Sequence, residues 1–284
     1  MKKFLSLGAM CAIGAAWSCV VAGQPLKDDD PVTLDRVSEY VERYYSRAQR
    51  LVSRETVTLW PLERDRRTRR LVYDLRLEWN PSAEPGTPPA QVVRQLLTAD
   101  GRPPRPGDDP ECMDPKPVSP EPLAILLPKH RDEYAFTSGG TGRIDGRAVV
   151  IFDFRALARE PAKVTWKEEC VSVELPGRAR GKVWADARTA EILRFDEGLT
   201  GIFEVPEPPD QSRRLRQSQL VIEQATTSIR YKPVTFADPE ETLLLPASIE
   251  TLTIIRNADV PRMLRVQTFT NYRRFVTEGR IVPG

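Results

Sequence analysis

The strongest constraint on this chain is an alternation of apolar and polar residues with a period of two. Leu71, Tyr73, Leu75, Leu77 and Trp79 alternate with Val72, Asp74, Arg76 and Glu78. Successive strand residues point to opposite faces, so such a run has one face to bury and one to wet. The pattern recurs. Val57 and Leu59 alternate with threonines, and Ala148, Val150, Phe152 and Phe154 share a face. Further strands are expected at 92–98, 133–137, 164–166, 171–175, 182–185, 191–195, 220–224, 229–236, 249–256 and 263–275. The last would extend ~43 Å at ~3.3 Å per residue, enough to follow a curved sheet. These candidates amount to roughly ten or eleven strands, the shortest not all standing alone, and their short turns predict an antiparallel sheet and an α+β, β-rich fold.

One segment reads as a helix. Leu34, Val37, Val41, Tyr44, Ala48 and Leu51 recur at spacings of three and four behind Thr33, a good N-cap. Asp35 and Glu39 stand near its start and Arg47 and Arg50 near its end, as the helix dipole favours. The simplest use of the stripe is packing on the sheet; the functional alternative is a lid over a cavity.

Turn and break signals divide the rest. Residues 80–90, 101–122 and 204–210 are Pro-rich loops, and Leu123 to Leu127 is an apolar helical turn stopped by Pro128. Asp186-Ala187-Arg188-Thr189 is a hairpin turn whose aspartate can bond its own downstream backbone. Ser138-Gly139-Gly140-Thr141-Gly142 is expected to be another hairpin turn. It lacks the Gly-Lys-Ser/Thr ending of a phosphate loop. The chain shows no internal repeat, so residues 33–284 are expected to form a single domain behind a flexible leader at 24–32.

The N-terminus supplies an address. Lys2 and Lys3 precede an uncharged run from Phe4 to Val21 that ends in Val21-Ala22-Gly23. This is the layout of a secretory signal peptide cut between Gly23 and Gln24. Two alternatives stay open: an uncleaved membrane anchor and a lipid-modified Cys19. The expected location is the periplasm or the outside of the cell. Without the two lysines of the signal, Lys and Arg number 40, equal to Asp and Glu. That balance argues against nucleic acid as a partner. Cys112 and Cys170 remain in the mature chain and are expected to form a disulfide, worth about 4 kcal/mol in the chain-entropy picture.

The sequence carries no recognisable catalytic set. His130 is the only histidine, near a predicted loop. No nucleophile elbow or zinc motif is present. Glu168 and Glu169 are adjacent, so on a strand they diverge and cannot act together on a glycoside. Asp28-Asp29-Asp30 lacks the spacing and glycine of a calcium loop. The Arg64 to Arg70 run could hold an anion but reads more simply as a solvated hairpin tip. No enzyme activity, cofactor or metal is expected.

Two segments carry a resemblance. Gly181-Lys-Val-Trp-Ala-Asp-Ala-Arg-Thr-Ala-Glu-Ile-Leu-Arg194 resembles the strand, Asp-x-x-Thr, strand hairpin of the bacterial lipoprotein-carrier superfamily, which includes the outer-membrane lipoprotein sorting proteins. The closing Phe269-Thr-Asn-Tyr-Arg-Arg-Phe275 is similar to theirs as well. The chain lacks their early Gly-x-Leu-Trp-x-x-Arg-Pro pattern and adds the Pro-rich loop at Cys112. The resemblance implies a half-barrel of about eleven strands with helices on its concave apolar face. It also implies that this face receives a lipid, a lipoprotein acyl chain or another apolar ligand. Such a carrier needs an apolar pocket of several hundred Å3. The alternative is an envelope interaction or scaffold protein with a packed sheet and no ligand.

Overall fold

The architecture comes from a computed structural model, which describes residues 32–62, 67–80, 82, 89–109, 116–158, 160, 163–167, 170–174, 177–206, 219–256, 262–276 and 280–283. One helix, α1 (Leu34–Arg47), leads into strands β1 (Arg50–Pro61), β2 (Arg69–Trp79) and β3 (Ala90–Ala99). Three short 3-10 turns follow, at Lys116–Val118, Glu121–Leu126 and Pro128–Glu133. Next come β4 (Tyr134–Ile144), β5 (Arg147–Ala156), β6 (Lys163–Lys167), β7 (Cys170–Glu174), β8 (Ala179–Asp186) and β9 (Ile192–Leu199). The chain closes with β10 (Phe203–Pro206), β11 (Gln219–Ala237), β12 (Glu240–Arg256), β13 (Met263–Val276) and β14 (Arg280–Pro283).

Twelve of the strands make one sheet with the path β3-β2-β1-β13-β12-β11-β9-β8-β5-β4. β10 adds to β11 and β14 to β13, while β6 and β7 pair separately. All the pairings are antiparallel. β3 and β4 are its ends, so the sheet is open and not a closed barrel. Residues 31–284 cluster as one unit.

α1 starts where the sequence indicates. Thr33 is extended, and its hydroxyl accepts from the Arg36 amide at 3.4 Å. Val37, Val41, Tyr44 and Tyr45 form its buried face. Each of the two valines contributes about 1.5–3 kcal/mol through apolar burial. The helix stops earlier than the stripe suggested. Leu51 lies in β1, because an apolar residue at a helix end and one in the next strand can face the same core.

Two other expectations change. The glycine run at 139–142 is not a turn but part of β4. A register shift between Ser138 and Gly140 absorbs Gly139, with Gly140 at φ +89°. The turn lies beyond, at Asp145 and Gly146, both with positive φ. Strands expected at 220–224 and 229–236 are one strand, β11, which pairs β12 across the whole stretch. Its polar middle, Gln224 to Ser228, is paired on one side with β12 and partly with β9, so backbone bonding overrides weak local signals. β10 also occupies the start of the loop expected at 204–210.

The long β11–β12 hairpin reaches past the regular sheet. Ser248 to Thr253 of β12 pair with β13, but Glu240 to Pro246 pair only with β11. Leu243, Leu244 and Leu245 are all buried. Successive strand residues face opposite ways, so this arm is covered on both sides. Its tip is tied down at Glu241, which pairs with Arg47 at the end of α1 and with Arg274 of β13. Arg274 also lies 4.7 Å over the Phe236 ring.

Candidate functional site

The apolar face of the sheet is the first candidate. It is covered by α1, by the 3-10 turns and by the hairpin arm. Leu51, Leu75, Leu77, Val183, Phe195, Ile229 and Ile249 of the sheet pack with Val37, Val41 and Tyr44 of α1 and with Leu123 and Leu126 of the second turn. Ser38 fixes the helix to that turn by donating to the Leu126 carbonyl, and it accepts from Arg131, which also pairs with Asp35. The void left between Tyr44, Leu75, Leu77, Val118, Phe269 and Tyr272 is about 10 Å3. That is room for about one water. Among the described residues this void falls far short of the several hundred Å3 expected of an acyl-chain pocket, because buried side chains of α1, the 3-10 turns and the sheet pack around it.

Aromatic hydroxyls concentrate under the cover. Burial pushes the phenols of Tyr44, Tyr45, Tyr231 and Tyr272 well above their ordinary range. They are therefore neutral, and they donate where a carbonyl is in reach, as Tyr272 does to Pro246 at 2.7 Å. Tyr45 meets Trp79 edge-on at 5.1 Å between centroids. The Tyr45 hydroxyl and the Trp79 indole N–H are both buried with no hydrogen-bond partner. Native interiors rarely leave such groups unpaired.

A polar belt crosses the same face further along. Glu55 is fully buried; Gln267 donates to it at 2.6 Å and Arg94 at 2.7 Å. Val57, Leu71, Tyr73 and Ala99 form a smaller core beyond it.

The second candidate lies on the opposite face, where no sequence signal pointed. A trough of about 800 Å3 runs over β5, β8, β9, β11, β12 and β13. Pairing register explains its walls. One row across the sheet is Asp153, Lys182, Asp196, Ser228 and Glu250. The next is Arg155, Arg180, Gly198, Thr226, Leu252 and Leu264. Both rows alternate with Val183, Phe195, Ile229 and Ile249, which point into the covered core, so both face away from α1. In the first row Lys182 pairs with Asp153, and Asp196 accepts from Ser228 at 2.7 Å and from Arg194 at 2.7 Å. Sequence alone could not find the trough, because each strand contributes only a short stretch of one to four residues to it.

The Asp186 turn forms as expected, with Oδ1 accepting from the Arg188 and Thr189 amides at 2.9 and 2.8 Å. His130 lies in the third 3-10 turn, 2.8 Å from Glu133. Of the arginine run, Arg69 donates to the Asp108 carbonyl and stands near its carboxylate, so it is occupied internally. Cys170 opens β7; Cys112 lies outside the described residues. Cys19, Gly23, Gln24, Asp28 to Asp30, Glu168 and Glu169 lie outside them too. No group of metal-ligating side chains occurs among the described residues. No described helix is long and apolar enough to cross a membrane.

No protein-family model matches the sequence, and no curated protein matches it. Solved structures do. A putative outer membrane lipoprotein-sorting protein domain from Vibrio parahaemolyticus aligns over 87% of this chain and 93% of its own, at 8% identity and a TM-score of 0.42. A LolA superfamily protein from Nitrosomonas europaea aligns over 86% of this chain and 94% of its own, at 8% identity and a TM-score of 0.34. A DUF1329 family protein from Desulfovibrio piger covers 86% and 92%, at 10% identity and 0.36. The likeness is one of fold. It says nothing of a ligand.

Proposed function

We propose that this is an exported, non-enzymatic binding protein of the periplasm or cell exterior. It takes the apolar part of a lipid, an acyl chain or another apolar ligand between the apolar sheet face and its cover. The cover moves aside to admit the ligand. The observation that carries this reading is the unpaired Tyr45 hydroxyl beside the unpaired Trp79 indole, at the seam between α1 and β2. A seam evolved only to stay shut would be expected to satisfy both groups. The manner of attachment agrees. α1 and the 3-10 turns hold to the sheet by side chains and not by strand pairing, so they can lift without breaking the ladder.

The small void favours a second reading, a scaffold or interaction protein of the envelope whose sheet simply packs a core. Native mass spectrometry of protein purified from its own envelope, followed by lipid extraction, separates the two. A lipid adduct supports the binding protein; bare intact mass in every preparation supports the scaffold. The same mass locates the cut at Gly23 or a lipid on Cys19.

A further inference from the structure

We propose that the trough on the uncovered face binds a small anionic amphiphile, a single-chain carboxylate or phosphate monoester. The head would meet Arg155 and Arg180, and the chain would lie along Thr226, Leu252 and Leu264. This site is separate from the covered apolar face.

Arg155 and Arg180 are direct cross-strand partners on β5 and β8. Like charges so placed are destabilising. Both are exposed, and neither has an ion pair or side-chain hydrogen bond among the described residues. The adjoining row differs, since Asp153 is paired with Lys182 and Asp196 with Arg194. An oxyanion between the two guanidiniums would turn their repulsion into charge-assisted hydrogen bonds, for which the planar fork of arginine is well shaped.

The same row then changes character. Next to Arg180 comes Gly198, whose missing side chain leaves the floor clear; a Cβ there would lie 3.0 Å from Thr226 Cγ2. Beyond it are Thr226, Leu252 and Leu264, all half-buried. From β5 to β13 the row crosses five strand spacings, about 24 Å. A single line thus runs from cationic through open to apolar, which is the polarity of an anionic amphiphile. Glu250, on the strand that carries Leu252, faces the trough at the apolar end and opposes a head group there. That sets the ligand's direction. The volume of about 800 Å3 suits a ligand of this size.

Calorimetric titration of the mature chain tests the idea, with dodecyl phosphate and dodecanoate kept below their micelle concentrations. Inorganic phosphate and dodecyltrimethylammonium are the comparison probes. Both anionic amphiphiles should bind, and tighter than either comparison probe. Arg155→Gln and Arg180→Gln should each weaken them about tenfold, near 1.4 kcal/mol. Leu252→Asn should weaken dodecyl phosphate and leave any response to inorganic phosphate unchanged. The double arginine variant should melt no lower than the parent, because it removes a repulsion. A lower melting temperature would show a structural partner for the arginines and overturn the proposal. So would phosphate binding as tightly as dodecyl phosphate, or equal binding of the cationic probe. Unchanged affinity in both arginine variants would also overturn it, while leaving the covered apolar face as the place of binding. Loss of affinity in those variants, together with bare mass in the envelope preparation, would overturn binding at the covered face alone.

Discussion

Replacing Arg94 with methionine should destabilise the protein far more than an ordinary surface change. Its guanidinium lies 2.7 Å from Glu55, whose side chain is 0% exposed while that of Arg94 is 11% exposed. Two charges ~4 Å apart at an effective dielectric of ~20 attract by about 4 kcal/mol, and most of that offsets the cost of removing them from water. Removing one partner loses the attraction and keeps the cost. Gln267 still donates to Glu55, but as a neutral amide. Arg94→Met should therefore cost about 3–5 kcal/mol. Replacing both residues together, Glu55→Leu with Arg94→Met, removes the buried charge as well and should cost less than the single change. Urea unfolding followed by tryptophan fluorescence measures both, with the slope checked for constancy. A cost below about 1 kcal/mol for Arg94→Met would refute the reasoning, since it would mean that water reaches Glu55. Additive effects in the double variant would refute it equally.

Gly181→Ala should destabilise by about 1–3 kcal/mol or more, read as a lower urea midpoint, because the added Cβ would overlap the Asp196 carbonyl and lie 2.7 Å from the Phe154 ring. Partial burial raises the Asp186 carboxyl, but the amides of Thr189 and Arg188 and the Arg147 guanidinium outweigh it and hold its pKa at about 2. A depressed folded-state value stabilises above the unfolded value near ~3.9 and is lost as pH falls toward 2. Asp186→Asn should thus flatten the fall in melting temperature between pH 4 and pH 2; an unchanged slope would remove Asp186 from the acid transition. Cys112 and Cys170 are expected to be paired in the exported protein, giving an intact mass two hydrogens below the reduced form, and a reduced mass after non-reducing purification would exclude it.

The two hairpin motifs show what is legible locally. Asp186 and Thr189 define their turn by bonds within four residues, so the sequence fixes it without help from the rest of the fold. The glycines at 139–142 show the limit. A glycine cluster permits a turn or a bulge equally well, and pairing with β5 selected the bulge. The same holds for Gln224 to Ser228, whose polar run looked like a break between strands until β9 and β12 paired with it.

Period-two alternation and one capped amphipathic stripe determined a β-rich antiparallel fold with a leading helix, because these depend on neighbours along the chain. Two things were decided only by the tertiary structure. Whether the apolar face is open depends on where α1, the 3-10 turns and the hairpin arm come to rest, and they rest on it. Whether the other face has a site depends on register. Arg155, Arg180, Gly198, Thr226, Leu252 and Leu264 are spread along more than a hundred residues, and only hydrogen-bonded pairing brings them into one row.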